Sequence, residues 1–82
     1  MNSDILSLDR IDIKILDILQ KDGRISNIKL AEAVNLSPTA ALARVQKLGN
    51  EGFILGYEAK LNYEKLNSNF VVFVEILLDK TT

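Results

Sequence analysis

The dipeptide Ser37-Pro38 sets the tightest limits on how this chain can fold. Proline lacks a backbone N–H and its ring clashes with the preceding turn, so no regular helix runs through position 38. The same residue is favourable at the first position of a new helix, and a serine just before it offers a hydroxyl oxygen as N-cap. A helix therefore starts here, and any helix upstream has ended. The upstream segment, from Ser26 or Asn27 to Val34, reads as a short helix with Ile28, Leu30, Ala31 and Val34 inward and Lys29 and Glu32 toward water. Only Asn35-Leu36 is left to turn the chain. Asparagine tolerates the positive φ such a turn needs, and Leu36 is expected to fold back into the core and fix the angle between the helices.

The downstream helix is expected over residues 37–51, with Gly52 as its stop. On a helical wheel Ala41, Leu42, Val45 and Leu48 share one face. Thr39, Ala40, Ala43, Gln46, Lys47 and Asn50 share the other, with Arg44 at its edge. Two helices joined by so short a turn, the second with one face free, make a helix-turn-helix of the kind that enters the major groove of DNA. A preceding helix is predicted from about Asp9 to Lys21, its apolar stripe formed by Leu8, Ile11, Ile15, Ile18 and Leu19. Asp9 is its expected N-cap, Asp12 complements the helix dipole, and Gly23 is available as a left-handed cap. An acid/base role for the two aspartates lacks any assisting group.

After Gly52 the period changes. Phe53-Ile54-Leu55, then Gly56, then Tyr57 to Leu61 reads as two short strands around a turn, and Asn62 to Asn69 as a turn with a helical loop. Phe70-Val-Val-Phe-Val-Glu-Ile-Leu-Leu78 reads as an apolar strand, too long to be left as a bare edge. The expected fold is mainly α with a small β part: a winged helix-turn-helix, built from a three-helix bundle and a β-ribbon, followed by one extra β-strand. The expected division is a DNA-binding domain over 1–61, a linker over 62–69 and a strand-bearing segment over 70–82.

Composition narrows the function. The chain has 82 residues and 48% are hydrophobic, enough for one small packed domain. It has no cysteine and no histidine, which excludes disulfides and the usual zinc sites. No metal or cofactor is expected, and no glycine loop to cradle phosphate is present, so an enzyme is not expected. The net charge is −1. Between Gln20 and Leu48, however, Lys21, Arg24, Lys29, Arg44 and Lys47 face only Asp22 and Glu32. A local basic face can hold phosphates against a slightly negative total. No apolar run reaches membrane-spanning length, and Met1-Asn-Ser-Asp4 lacks the basic start of a signal peptide. A cytoplasmic, prokaryotic protein associated with the nucleoid is the expectation.

Order and spacing carry a resemblance. Leu8-Asp9-Arg10-Ile11-Asp12 with Ile15-Leu16, and Gln20-Lys21-Asp22-Gly23-Arg24-Ile25-Ser26, resemble the opening of the Lrp/AsnC family. So do Leu36-Ser37-Pro38-Thr39, Arg44-Val45 followed by Leu48, and Gly52-Phe53-Ile54 followed by Gly56-Tyr57. Val71 to Ile76 is similar to the first strand of that family's second domain. The resemblance implies a transcriptional regulator with an N-terminal winged helix-turn-helix and a ferredoxin-like effector domain that binds amino acids and drives assembly. It covers about residues 8 to 78 and stops after the first effector strand, so an amino-acid effector is not expected to act on this chain. Family members often carry arginines on the exposed face of the third helix. Here Ala43 and Gln46 stand at two such places, and Ala40 at a frequent proline, which implies weaker DNA binding.

The candidate DNA-contact residues are therefore Arg24, Ser37, Thr39, Ala40, Ala43, Arg44 and Lys47. Arg44 suits a bidentate pair with guanine, with a nearby acid such as Glu51 as the competing partner; Ser37 can cap its helix and touch phosphate. Phe70, Val72, Val74 and Ile76 are the expected contacts of a homodimer or higher oligomer. Double-stranded DNA is the expected partner. The alternative is a short interaction module that pairs with full-length regulators and modulates them without strong DNA binding of its own.

Overall fold

A computed structural model describes residues 7–66 and 69–81 of the chain. Met1 to Asp4, read above as no signal peptide, and positions 67, 68 and 82 lie outside the described residues. Four helices are present among the described residues: α1 (Arg10–Lys21), α2 (Asn27–Ala33), α3 (Pro38–Asn50) and α4 (Phe70–Thr81).

The first three helices begin where local chemistry supplies a cap. Asp9 accepts the Asp12 backbone N–H at 2.8 Å, and the Asp12 side chain accepts the Asp9 N–H at 3.3 Å, a reciprocal capping box. Ser26 and Ser37 accept from the N–H groups of Lys29 and Ala40, both at 3.1 Å. Asn35 takes φ 57° in the turn after α2, and Gly52 takes φ 85° after α3, the left-handed stops expected of both. Gly23 does not adopt that conformation. It lies where a Cβ would meet the Tyr57 ring at 3.3 Å, so close packing rather than a left-handed turn explains the missing side chain.

Ile15, Leu30, Val34 and Leu48 form the buried centre of the bundle, flanked by Leu8, Ile11, Leu36, Val45, Phe53 and Ile54. Ala31 and Ala41 are buried with no more than 1% exposure. Such small side chains let helices approach closely. Two residues assigned inward by the wheel are instead exposed: Ile28 at 64% and Leu42 at 46%. Each sits at the border of its apolar arc, and a short helix packed on one side buries a narrower stripe than the wheel suggests. The Asn27 amide donates to the Pro38 carbonyl at 2.7 Å, tying the first turn of α2 to the start of α3.

Charge also joins α1 to α3. Arg44 Nη1 lies 2.6 Å from Asp9 Oδ2 and 3.1 Å from Asp12 Oδ1. Asp12 is 3% exposed and is the buried charged side chain among the described residues. Asp9 is held below the usual carboxylate range, first by the Asp12 backbone N–H and then by the Arg44 guanidinium. Arg44 is raised above its ordinary value by its hydrogen bonds to Asp9 and Asp12.

Beyond the bundle the expected strands do not form. Phe53 and Ile54 donate to the Leu48 carbonyl at 2.9 and 3.2 Å, and residues 55–61 then run without regular structure. A strand needs a hydrogen-bonding neighbour, and no β-strand exists among the described residues to provide one. Residues 62–66 turn, with the Asn62 side chain accepting from the N–H groups of Glu64 and Lys65, both at 3.1 Å. Residues 70–78 are corrected from strand to helix, the first turn closed by the Phe73 N–H donating to the Asn69 carbonyl at 2.9 Å. A continuous apolar run carries no period to separate strand from helix, and without a strand to pair with, the helix is the regular structure that satisfies its own backbone. The expected dimer set is thereby divided. Phe70 and Val74, four residues apart, lie on one side, while Val72 and Ile76 lie on another.

Leu48→Ala should cost about 2–5 kcal/mol, seen as a lowered urea midpoint with the same slope, because it opens a cavity at the centre of the bundle. The acid limb of stability follows from Asp9. A carboxylate depressed on folding stabilises above its unfolded value and loses that contribution as pH falls through its folded value. The urea midpoint should therefore be level between about pH 8 and 5 and fall below about pH 4. Asp9→Asn keeps a capping oxygen and should flatten part of that fall; a limb parallel to the wild type would assign the acid sensitivity to other groups.

Candidate nucleic-acid interface

The exposed surface of α3 carries Thr39, Leu42, Ala43, Gln46, Lys47 and Asn50, with Ala40 partly covered. It is a shallow, mixed surface: two amides, a hydroxyl, small apolar groups and one ammonium. Leu42 is the one large apolar side chain on this face, and the amides and methyl groups around it are suited to adenine and thymine edges. Lys47 is exposed, and no hydrogen bond or ion pair engages its side chain among the described residues.

The helix N-terminus offers less to an anion than a bare helix end would. Pro38 has no N–H, Ser37 Oγ takes that of Ala40, and the Ala41 N–H donates to the Ser37 carbonyl at 2.9 Å. The Thr39 N–H and the exposed hydroxyls of Ser37 and Thr39 remain for a phosphate. Arg24 is exposed in the connection between α1 and α2, where its N–H donates to Asp22 Oδ1 at 3.1 Å. It borders an open groove, lined also by Leu19, Tyr57 and Lys60, between the end of α1 and residues 55–60. The fold thus brings Thr39, Ala43 and Lys47 onto one helix, with Ser37 at its N-cap, Ala40 at its margin and Arg24 on the loop between α1 and α2.

Arg44 is placed differently from its sequence reading. Its side chain is 30% exposed and turned to Asp9 and Asp12, which lie 35 and 32 residues away in the chain; the competing partner foreseen, Glu51, is not the one used. The two aspartates were legible as a cap and a dipole partner but not as acceptors for Arg44. The capping-box spacing carried the missing signal: it turns one carboxylate of the pair inward, where a cation from another helix must meet it.

The helical geometry agrees with what this chain is similar to. The winged helix-turn-helix DNA-binding family profile matches residues 8–54, more than half of the chain. The leucine-responsive regulatory proteins of Escherichia coli and Salmonella typhimurium are each 56% identical over 73 residues, which is 89% of this chain and 44% of theirs. The chain therefore spans less than half the length of these relatives. Among solved structures, a transcriptional regulator of Neisseria meningitidis in complex with L-methionine superposes with a TM-score of 0.71 at 45% identity, over 73% of this chain and 39% of that one. An AsnC family transcriptional regulator of Agrobacterium tumefaciens superposes with a TM-score of 0.70 at 42% identity, again over 73% and 39%. These are families of DNA-binding regulators rather than enzymes. By the profile match, and by identity sustained along most of its length, the chain belongs to the Lrp/AsnC family of winged helix-turn-helix transcriptional regulators.

Proposed function

We propose that these residues act as the DNA-binding part of a sequence-specific transcriptional regulator, with α3 as the helix that enters the major groove. The observation that carries this is the free outer face of α3, set by the Ser37-Pro38 restart within a chain that matches the winged helix-turn-helix family over residues 8–54. Ser37 and Thr39 meet the phosphate backbone or base edges at the helix start, Ala40 and Ala43 allow close approach, and Lys47 and Arg24 supply charge. Arg44, already bonded to two carboxylates, is not needed as a direct contact. With so few free cations per copy, affinity is low and a second copy is required to reach two half-sites about 34 Å apart.

Residues 1–61 constitute the DNA-binding unit, 62–69 the linker, and 70–82 the start of the assembly region. The apolar side chains of α4 support the last assignment: Val71, Val72, Phe73, Ile76, Leu77 and Leu78 are all about half exposed or more. A second copy of the chain covers them, forming a homodimer or higher oligomer, with Val72 and Ile76 on one contact side and Phe70 and Val74 on another. Among the described residues no helix is long and apolar enough to cross a membrane. A regulator that binds DNA acts where the DNA is, in the cytoplasm at the nucleoid. The free face of α3 favours this reading over an interaction module that only modulates full-length regulators.

Binding of the full chain to duplex DNA should weaken as salt rises. Lys47→Ala should make the log–log slope shallower by about 0.9 per copy, the loss of one phosphate contact, and weaken binding about equally across sequences. Absence of any salt-dependent binding to duplex DNA would overturn the proposal. For assembly, Val72→Lys with Ile76→Lys should convert oligomer to monomer by sedimentation and weaken DNA binding in parallel; an unchanged mass would remove α4 from the interface.

A further inference from the structure

We infer that Asp9, Asp12 and Arg44 form a positioning device that sets the recognition helix α3 against α1, so that Arg44 serves DNA binding from inside the protein rather than as a contact in the groove. The inference rests on the DNA-binding role proposed above. Each of the four carboxylate oxygens has a partner. Asp9 Oδ1 accepts the Asp12 N–H at 2.8 Å, Asp12 Oδ2 accepts the Asp9 N–H at 3.3 Å, and the two remaining oxygens share Arg44 Nη1 at 2.6 and 3.1 Å. The network is closed and crosses from the first turn of α1 to the middle of α3. The Asp12 side chain is 4% exposed, so its charge is not released to water and must be matched within the protein.

The geometry fixes rotation as well as distance. Two acceptors from one capping box grip a single nitrogen, so α3 cannot roll about its axis without breaking at least one charge-assisted bond. Rolling α3 would move Thr39, Ala43 and Lys47 together, since all three project from the same helix. One guanidinium here faces two carboxylates, so the cluster is net negative and is itself repelled by DNA. That produces a test by sign. If the acids acted only through charge, removing one would tighten DNA binding; if they position α3, removing one loosens it.

The experiment measures binding of the full chain to a mixed-sequence duplex across a salt series. Asp12→Asn should weaken binding about tenfold although it removes a negative charge, and Arg44→Met should do the same with an unchanged salt slope. The double variant should be no worse than either alone, as expected of residues coupled in one network. Binding by Asp12→Asn as tight as wild type or tighter would overturn the inference, as would an Arg44→Met slope shallower by about 0.9, the mark of a lost phosphate contact. Should Asp12→Asn fail to fold, Asp9→Asn keeps the cap, loses the charge and is expected to shift binding in the same direction. A readout without DNA separates this inference from the function it serves. The chain has no native cysteine, so spin labels at Lys14→Cys on α1 and Asn50→Cys on α3 report the interhelical distance alone. Asp9→Asn or Asp12→Asn should shift and broaden that distribution; a distribution unchanged from the parent would overturn the device even if the wild type bound no DNA.

Discussion

A carboxylate withdrawn from water is the constraint on which this bundle turns. Asp12 starts α1 as half of a capping box, and the same placement sends its side chain under α3. An ion held there without a counter-charge costs far more than a surface pair could return. Arg44 answers it from a helix more than thirty residues later, so the cap of one helix specifies where another must lie. Helix α2 is held by a separate set of contacts. It is seven residues long, too short to persist alone in water, and holds its shape because Leu30, Ala31 and Val34 are buried and Asn27 is tied to Pro38.

The chain shows two regimes of packing. From Leu8 to Ile54 most apolar side chains converge on Ile15, Leu30, Val34 and Leu48, with Ile13, Ile28 and Leu42 left exposed. From Leu55, which is 96% exposed, they face outward, through Tyr57 and Tyr63 to the run along α4. The family profile ends at the same boundary, at residue 54. The first regime presents a surface fit for a charged, hydrated ligand. The second leaves apolar area of the sort that another protein surface removes from water.

Much of the first regime could be read before any coordinates. Ser26, Asn35, Ser37-Pro38 and Gly52 each act on the backbone within a turn of themselves, and their effects survive whatever packs around them. Ile15, Ala31 and Leu48 followed from helical spacing. Ile28 and Leu42 did not, because how wide an apolar stripe becomes depends on the shape of the neighbouring helices. Gly23 was misassigned because a tight contact with Tyr57 and a left-handed turn both call for glycine. The exposed face of α3 was legible for a similar reason: Thr39, Ala43 and Lys47 fall on it by periodicity and Ser37 caps its helix, whereas the partners of Arg44 are set by tertiary approach. Phe70 to Leu78 was opaque, since an apolar run suits strand or helix according to whether a neighbour is there to pair with it.

The separation in sequence between these links has a consequence for how the domain assembles in time. The Asn27–Pro38 bond closes a loop of 11 residues, while the Arg44 bonds to Asp12 and Asp9 close 32 and 35. Short loops lose less chain entropy on closure, so the α2–α3 hairpin is the cheaper nucleus and the docking of α1 comes after it. If unfolding retraces that order, the first excursion expected from the native state is the undocking of α1, which would expose Asp12 to water and free α3 to turn. Amide exchange along α1 would then run ahead of global unfolding, and α1 would govern how long the exposed face of α3 keeps its place.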